Sequence, residues 1–191
     1  MPRRPRSVLP RYGVFHVTVR GVARQNIVRD DVDRDDLVAR VIDAEVRFGW
    51  LLHAYCVLDN HFHLVVECLL DRLSTGMHRL NGMYAQRFNN RHERCGHLFQ
   101  ERFATRLVGD DEYLTDVCAY VLDNAARAGL CAFGERWRWS GGLCIDDEPA
   151  VRQRPTDATG TARHANATQR NAFSPVSALP TTRVCTSCVP S

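Results

Sequence analysis

The sequence predicts an α+β fold built on an antiparallel sheet. Two observations carry that reading. Hydrophobic periodicity switches between two-residue alternation and helical spacing in the order strand, helix, hairpin, helix, strand, helix. The two middle strands are joined only by Asp59-Asn60, a tight connection. A ferredoxin-like or RRM-like sandwich, with helices packed on the sheet, is the natural solution.

Tyr12 to Arg20 alternates and is β-branched, which predicts a strand. From Asp33 to Phe48, Leu37, Val38, Val41, Ile42 and Val46 recur at helical spacing, with acids in the first turn. Trp50 to Leu58 and His61 to Cys68 form the hairpin. Leu73 to about Arg91 is a helix, and Phe99 to Val108 is extended. Asp110 to Ala128 is a helix with acids at its positive end and Gly129 after its last turn. On that helix Tyr113, Val117, Tyr120 and Asn124 share one stripe. Leu114, Cys118, Val121 and Ala125 share an apolar one, and Asp116, Asp123 and Arg127 lie beyond the Tyr stripe.

Composition sets the boundaries. Residues 146–191 are rich in Ala, Thr, Pro, Arg and Asn, which predicts a disordered tail; residues 1–10 read as a flexible start, leaving 11–145 as the domain. No apolar run is long enough to cross a membrane and no secretory leader is visible, so a cytoplasmic protein is expected. The eight Cys are then expected as thiols, and Cys185 and Cys188 lack further ligands at zinc spacing.

All 25 basic residues are Arg. GC-rich codon usage accounts for the missing Lys, but not for clustering. Residues 1–29 carry seven Arg and no acid, and residues 78–106 carry six Arg and three His among aromatics and amides. Arg contacts phosphate bidentately and stacks on bases, so this pattern points to nucleic acid. Arg20, Arg24, Tyr84, Arg87, Arg91, His97 and Arg102 are the candidate contacts.

His61-Phe62-His63 places two imidazoles on one strand face. Imidazole is the commonest metal ligand, and a divalent ion assists phosphoryl chemistry. The oxygen of Asn124 is a candidate third ligand, an N,N,O set that suits Mg²⁺ or Mn²⁺. Tyr120 is the candidate nucleophile, because Tyr120 alone has an amide four residues on; Tyr84 is its rival. An ordinary half-exposed strand and a core tyrosine remain the bland alternatives.

Four segments carry a family resemblance: His16-Val17-Thr18-Val19-Arg20-Gly21, Asn60-His61-Phe62-His63-Leu64-Val65, Gly96-His97-Leu98-Phe99-Gln100-Glu101-Arg102-Phe103, and Tyr120-Val121-Leu122-Asp123-Asn124 through Leu130. Over residues 11–140 the chain resembles the single-tyrosine HUH transposases, above all the REP-associated tyrosine transposases. The resemblance implies the HUH endonuclease fold, a divalent ion on His61 and His63 assisted by Asn124, and Tyr120 cutting single-stranded DNA near palindromic hairpins. It implies a 5′-phosphotyrosine intermediate, strand transfer, a bacterial nucleoid setting, and a monomer or homodimer. Asp59 and Ala125 stand where many relatives have Pro. A non-catalytic nucleic-acid-binding module and an inactivated transposase relative are the alternatives.

Overall fold

The structure, a computed structural model, describes residues 9–109 and 111–146. The expected flexible start and tail therefore fall almost wholly outside the described residues, as does the Cys185–Cys188 pair. In chain order come β1 (Tyr12–Arg20), a 3-10 turn (Val22–Arg24), α1 (Asp31–Phe48), β2 (Leu51–Val57), β3 (His61–Leu69), α2 (Leu70–Arg91), β4 (Ala104–Val108), α3 (Asp111–Leu122), α4 (Asn124–Arg127), β5 (Ser140–Gly141) and α5 (Leu143–Asp146).

The sheet is antiparallel throughout, in the order β4-β1-β3-β2-β5. Its first four strands with α1 and α2 make the βαββαβ sandwich that the sequence predicts. The local signals explain the elements. Asp30 caps α1 by accepting from the Asp33 amide, and Gly49 closes it in the left-handed region (φ 64°). Alternation along β1 sends Phe15, Val17 and Val19 to one face and His16 and Thr18 to the other.

Both faces of the sheet are covered. On one, α1 and α2 pack over Phe15, Val17, Val19, Phe62, Leu64 and Val66. On the other, Leu114, Val117, Cys118 and Val121 of α3 pack on Ala54, Cys56 and Val65. A bulge at His53 shifts the β2–β3 register between Leu52 and Ala54. That extra residue is why Leu52 joins the first core and Ala54 the second, although they are two apart.

Three expectations need adjustment. The segment 99–108 is a strand only from Ala104; Phe99 makes an isolated bridge to Gly21. The helix over 110–128 is interrupted at Asp123, so Asn124 begins α4. The edge strand β5 went unpredicted, since two residues carry no periodicity; it pairs Ser140 and Gly141 with Cys56 and Tyr55 of β2. Cys56, Cys68, Cys118, Cys131 and Cys144 are thiols, as expected, whereas exposed Cys95 is disulfide-bonded.

Candidate active site

The histidine pair lies on the α3 face of β3, the central strand. The antiparallel register sets Thr18 opposite His63, Arg20 opposite His61, and Arg106 of β4 opposite His16. Pairing thus gathers onto one face groups far apart in sequence. The rings of His61 and His63 are 5.0 Å apart, edge to face. His16, diagonal to His63 across the strands, stacks on it at 5.2 Å, with Nε2 3.0 Å from His63 Nδ1. The Thr18 hydroxyl lies 3.1 Å from the same Nδ1. His61 Nδ1 is 2.6 Å from Asn60 Oδ1.

The amphipathic face of α3 brings Tyr120 over this cluster. Its ring stands edge-on to His16 at 6.2 Å and to His63 at 6.1 Å, and 43% of the residue is exposed. The phenol, the His16 and His63 imidazoles and solvent therefore meet at one open cleft of about 650 Å³. Its lining includes His16, Thr18, Arg20, His63, Arg106 and Tyr120. The Arg127 guanidinium sits over the Tyr120 ring at 5.4 Å. Asn124 donates its Nδ2 to the Tyr120 carbonyl at 2.6 Å.

The cluster is largely buried and flanked by cations, so it favours neutral imidazole. Burial, aided by the Arg106 charge, lowers the His16 pKa to about 4. Burial and the Arg20 charge lower His61 to about 4. His63, only 5% exposed, falls to about 3, through burial and then the neighbouring His16, His61 and Arg20. Neutral rings with lone pairs are what a divalent cation requires. The donor chemistry of His61 and His63 therefore fits a metal ion, with the Asn124 oxygen as the further donor expected from the sequence.

Several predicted DNA contacts are placed elsewhere. Tyr84 is 1% exposed and donates its hydroxyl to the Ile27 carbonyl at 2.6 Å. Burial pushes its pKa far up. Neither base stacking nor nucleophilic attack is open to it, because its helical stripe faces the core. Arg91, still exposed, pairs with Asp30 at 2.7 Å and with buried Asp33 at 2.6 Å, pinning the end of α2 to the start of α1. Arg87 reaches Asp36 at 3.3 Å while remaining half exposed. Arg20 lines the cleft, and His97 and Arg102 line a second groove beside α2. Exposed Arg24 offers its carbonyl to Asn60.

Other residues in or beside the cleft escaped prediction. Asp116 and Arg127 were expected beyond the Tyr stripe, yet Asp116 lines the cleft and the long Arg127 side chain folds back over Tyr120. Arg106 was missed because its signal is a register, not a motif.

The family described as Transposase IS200 like matches residues 12–124 of this chain. The chain belongs to that family. Its resemblance to single-tyrosine transposases and its α+β fold are both borne out. Among solved structures, this transposase is similar to a REP-associated tyrosine transposase bound to a REP hairpin. The TM-score is 0.54 and the identity 15%, over 81% of this chain and 100% of that chain. A candidate transposase from Deinococcus radiodurans R1 gives a TM-score of 0.43 and 17% identity, over 63% of this chain and 95% of that one. No curated protein is significantly similar in sequence. Family membership makes this transposase a DNA-processing, DNA-cleaving protein. Among the described residues no helix is long and apolar enough to cross a membrane.

Proposed function

We propose that this transposase is a metal-dependent single-stranded DNA transesterase with Tyr120 as nucleophile. The observation that carries the reading is the edge-on packing of a solvent-accessible Tyr120 against His63 and His16. Tyr84, the sequence rival, is sealed in the core. His61 and His63 would hold the cation, with Asn124 Oδ1 as a further donor, since Nδ2 is spent on the Tyr120 carbonyl. When bound, a Mg²⁺ or Mn²⁺ ion would withdraw charge from the scissile phosphate.

The chain's own residues do the rest. Arg20 and Arg106 line the cleft as phosphate-binding cations, and Arg127 steadies the phenol ring. The phenolic oxygen attacks phosphorus, the P–O3′ bond breaks, the 3′ oxygen takes up a proton and the phenol proton is released. A 5′-phosphotyrosine and a free 3′-hydroxyl result, and reversal on another 3′ end would give strand transfer. The similar solved structure is bound to a REP hairpin, which supports a hairpin-bearing strand as the substrate class.

A denaturing gel tests this. A labelled single-stranded hairpin oligonucleotide with Mn²⁺ should yield a protein-linked DNA band with wild-type protein and with Tyr84→Phe. Tyr120→Phe should yield none. A band that survives Tyr120→Phe assigns the nucleophile to another residue; a band that never forms on any hairpin strand leaves a non-catalytic binding protein or an inactivated relative.

A further inference from the structure

Hydrogen-bond partners decide which ring nitrogen a histidine has to offer, and both strand histidines have such partners at Nδ1. Asn60 Oδ1 lies 2.6 Å from His61 Nδ1. The Asn60 amide nitrogen is turned to the Arg24 carbonyl at 3.3 Å, so its oxygen is the atom facing the ring. A carbonyl oxygen only accepts, so His61 Nδ1 carries the hydrogen and Nε2 keeps the lone pair. At His63 the same edge is taken twice, by His16 Nε2 at 3.0 Å and by the Thr18 hydroxyl at 3.1 Å. A hydrogen on His63 Nδ1 satisfies that pair, with His16 Nε2 as acceptor and the Thr18 hydroxyl as a second one. The opposite arrangement, in which His16 donates, moves the His63 hydrogen to Nε2. A nitrogen bearing hydrogen has no lone pair for a cation.

We propose that His16 and Thr18 are positioning residues for His63, as Asn60 is for His61: together they hold both imidazoles as Nδ1–H tautomers and keep both Nε2 lone pairs for the cation. The inference rests on the metal reading given under Proposed function. Ligating histidines generally hand their other N–H to an acceptor that fixes tautomer and ring plane, and losing that acceptor costs about 10- to 100-fold in metal affinity. The fold supplies these acceptors economically. Thr18 is the direct cross-strand partner of His63, His16 is its diagonal neighbour, and Asn60 is the residue before His61. None of the three needs to touch the cation or the DNA.

Long-range ¹H–¹⁵N correlation of the full, metal-free chain, labelled at the histidine ring nitrogens, reads the tautomers directly. His61→Asn and His63→Asn assign the signals. Both rings should show a protonated Nδ1 and a bare Nε2 near pH 7.5. The pair of changes His16→Phe and Thr18→Val removes both acceptors. It should give His63 a mixture of tautomers, leave His61 unchanged as the check on folding, and weaken Mn²⁺ binding about 10- to 100-fold by electron paramagnetic resonance titration. His16→Gln, which keeps an acceptor, should restore most of that affinity. Should the double variant fail to fold, Thr18→Val and His16→Gln are read singly against wild type. A proton on Nε2 of His63 in a wild-type protein that binds Mn²⁺ overturns this inference alone, as do tautomer and affinity that ignore both substitutions. Wild-type protein that binds no Mn²⁺ overturns the metal reading and this inference with it, whichever tautomers it shows.

Discussion

Tyr84 and Tyr120 are chemically identical and differ only in surroundings. Tyr84 spends its hydroxyl on the Ile27 carbonyl inside the core. Tyr84→Phe leaves that carbonyl without its donor and should cost about 1–2 kcal/mol, seen as a lower urea midpoint, while the DNA adduct persists. Tyr120→Phe removes a hydroxyl at an exposed position and should change stability by less than about 0.5 kcal/mol while abolishing the adduct. Arg91 makes the same point for charge. It neutralises Asp33, which is 3% exposed, but His92 reaches the other Asp33 oxygen at 2.7 Å and Arg91 is itself partly exposed. Arg91→Ala should therefore cost about 1–2 kcal/mol, below the loss expected for a fully buried pair. The salt dependence of DNA binding should stay as in wild type, because this arginine is occupied by carboxylates. A shallower salt slope would return Arg91 to the DNA interface.

At the scale of elements, the helices are held by close fits that the hydrophobic pattern does not reveal. Gly76 sits in the middle of α2, where Ala would ordinarily help by about 1 kcal/mol. Here a Cβ would run into the Trp50 ring and press on Phe48. Trp50 is 4% exposed and hemmed in by the core, so the clash outweighs the propensity gain. Gly76→Ala should destabilise by about 1–3 kcal/mol in urea unfolding; an unchanged or raised midpoint would show that Trp50 yields easily. On the other face, α3 owes its place to Leu114, Val117, Cys118 and Val121, and Cys144 of α5 approaches Cys118 within 3.0 Å between sulfurs. This anchoring keeps Tyr120 above the imidazoles.

For the whole molecule, the buried histidines couple the site to stability. His16, His61 and His63 titrate at about 4, 4 and 3 in the folded protein. In the unfolded chain they titrate near 6.5. Between those values the unfolded chain binds more protons than the folded one. Stability is therefore complete above about pH 6.5 and falls as pH drops toward 4. Melting followed by circular dichroism should show Tm declining steadily from pH 7 to 4.5, and His16→Gln should flatten the decline. A wild-type Tm that holds constant over that range would mean the rings are less buried than the fold implies.

Local pattern alone located most of the elements and nominated the candidate site residues. Alternation set His61 and His63 on one strand face, helical spacing put Tyr120 and Asn124 one above the other, and the hairpin implied antiparallel pairing. These are near-neighbour properties, written in periods of 2 and 3.6 residues. Tertiary structure decided accessibility and partnership: that Tyr84 is sealed in the core, that Arg91 is paired with carboxylates, that Arg106 lines the cleft and Arg127 covers the Tyr120 ring, and that His16 and Thr18 meet His63. Those outcomes depend on strand order, on register and on which face of a helix is covered. Each is set by contacts between residues tens of positions apart, which no local period encodes.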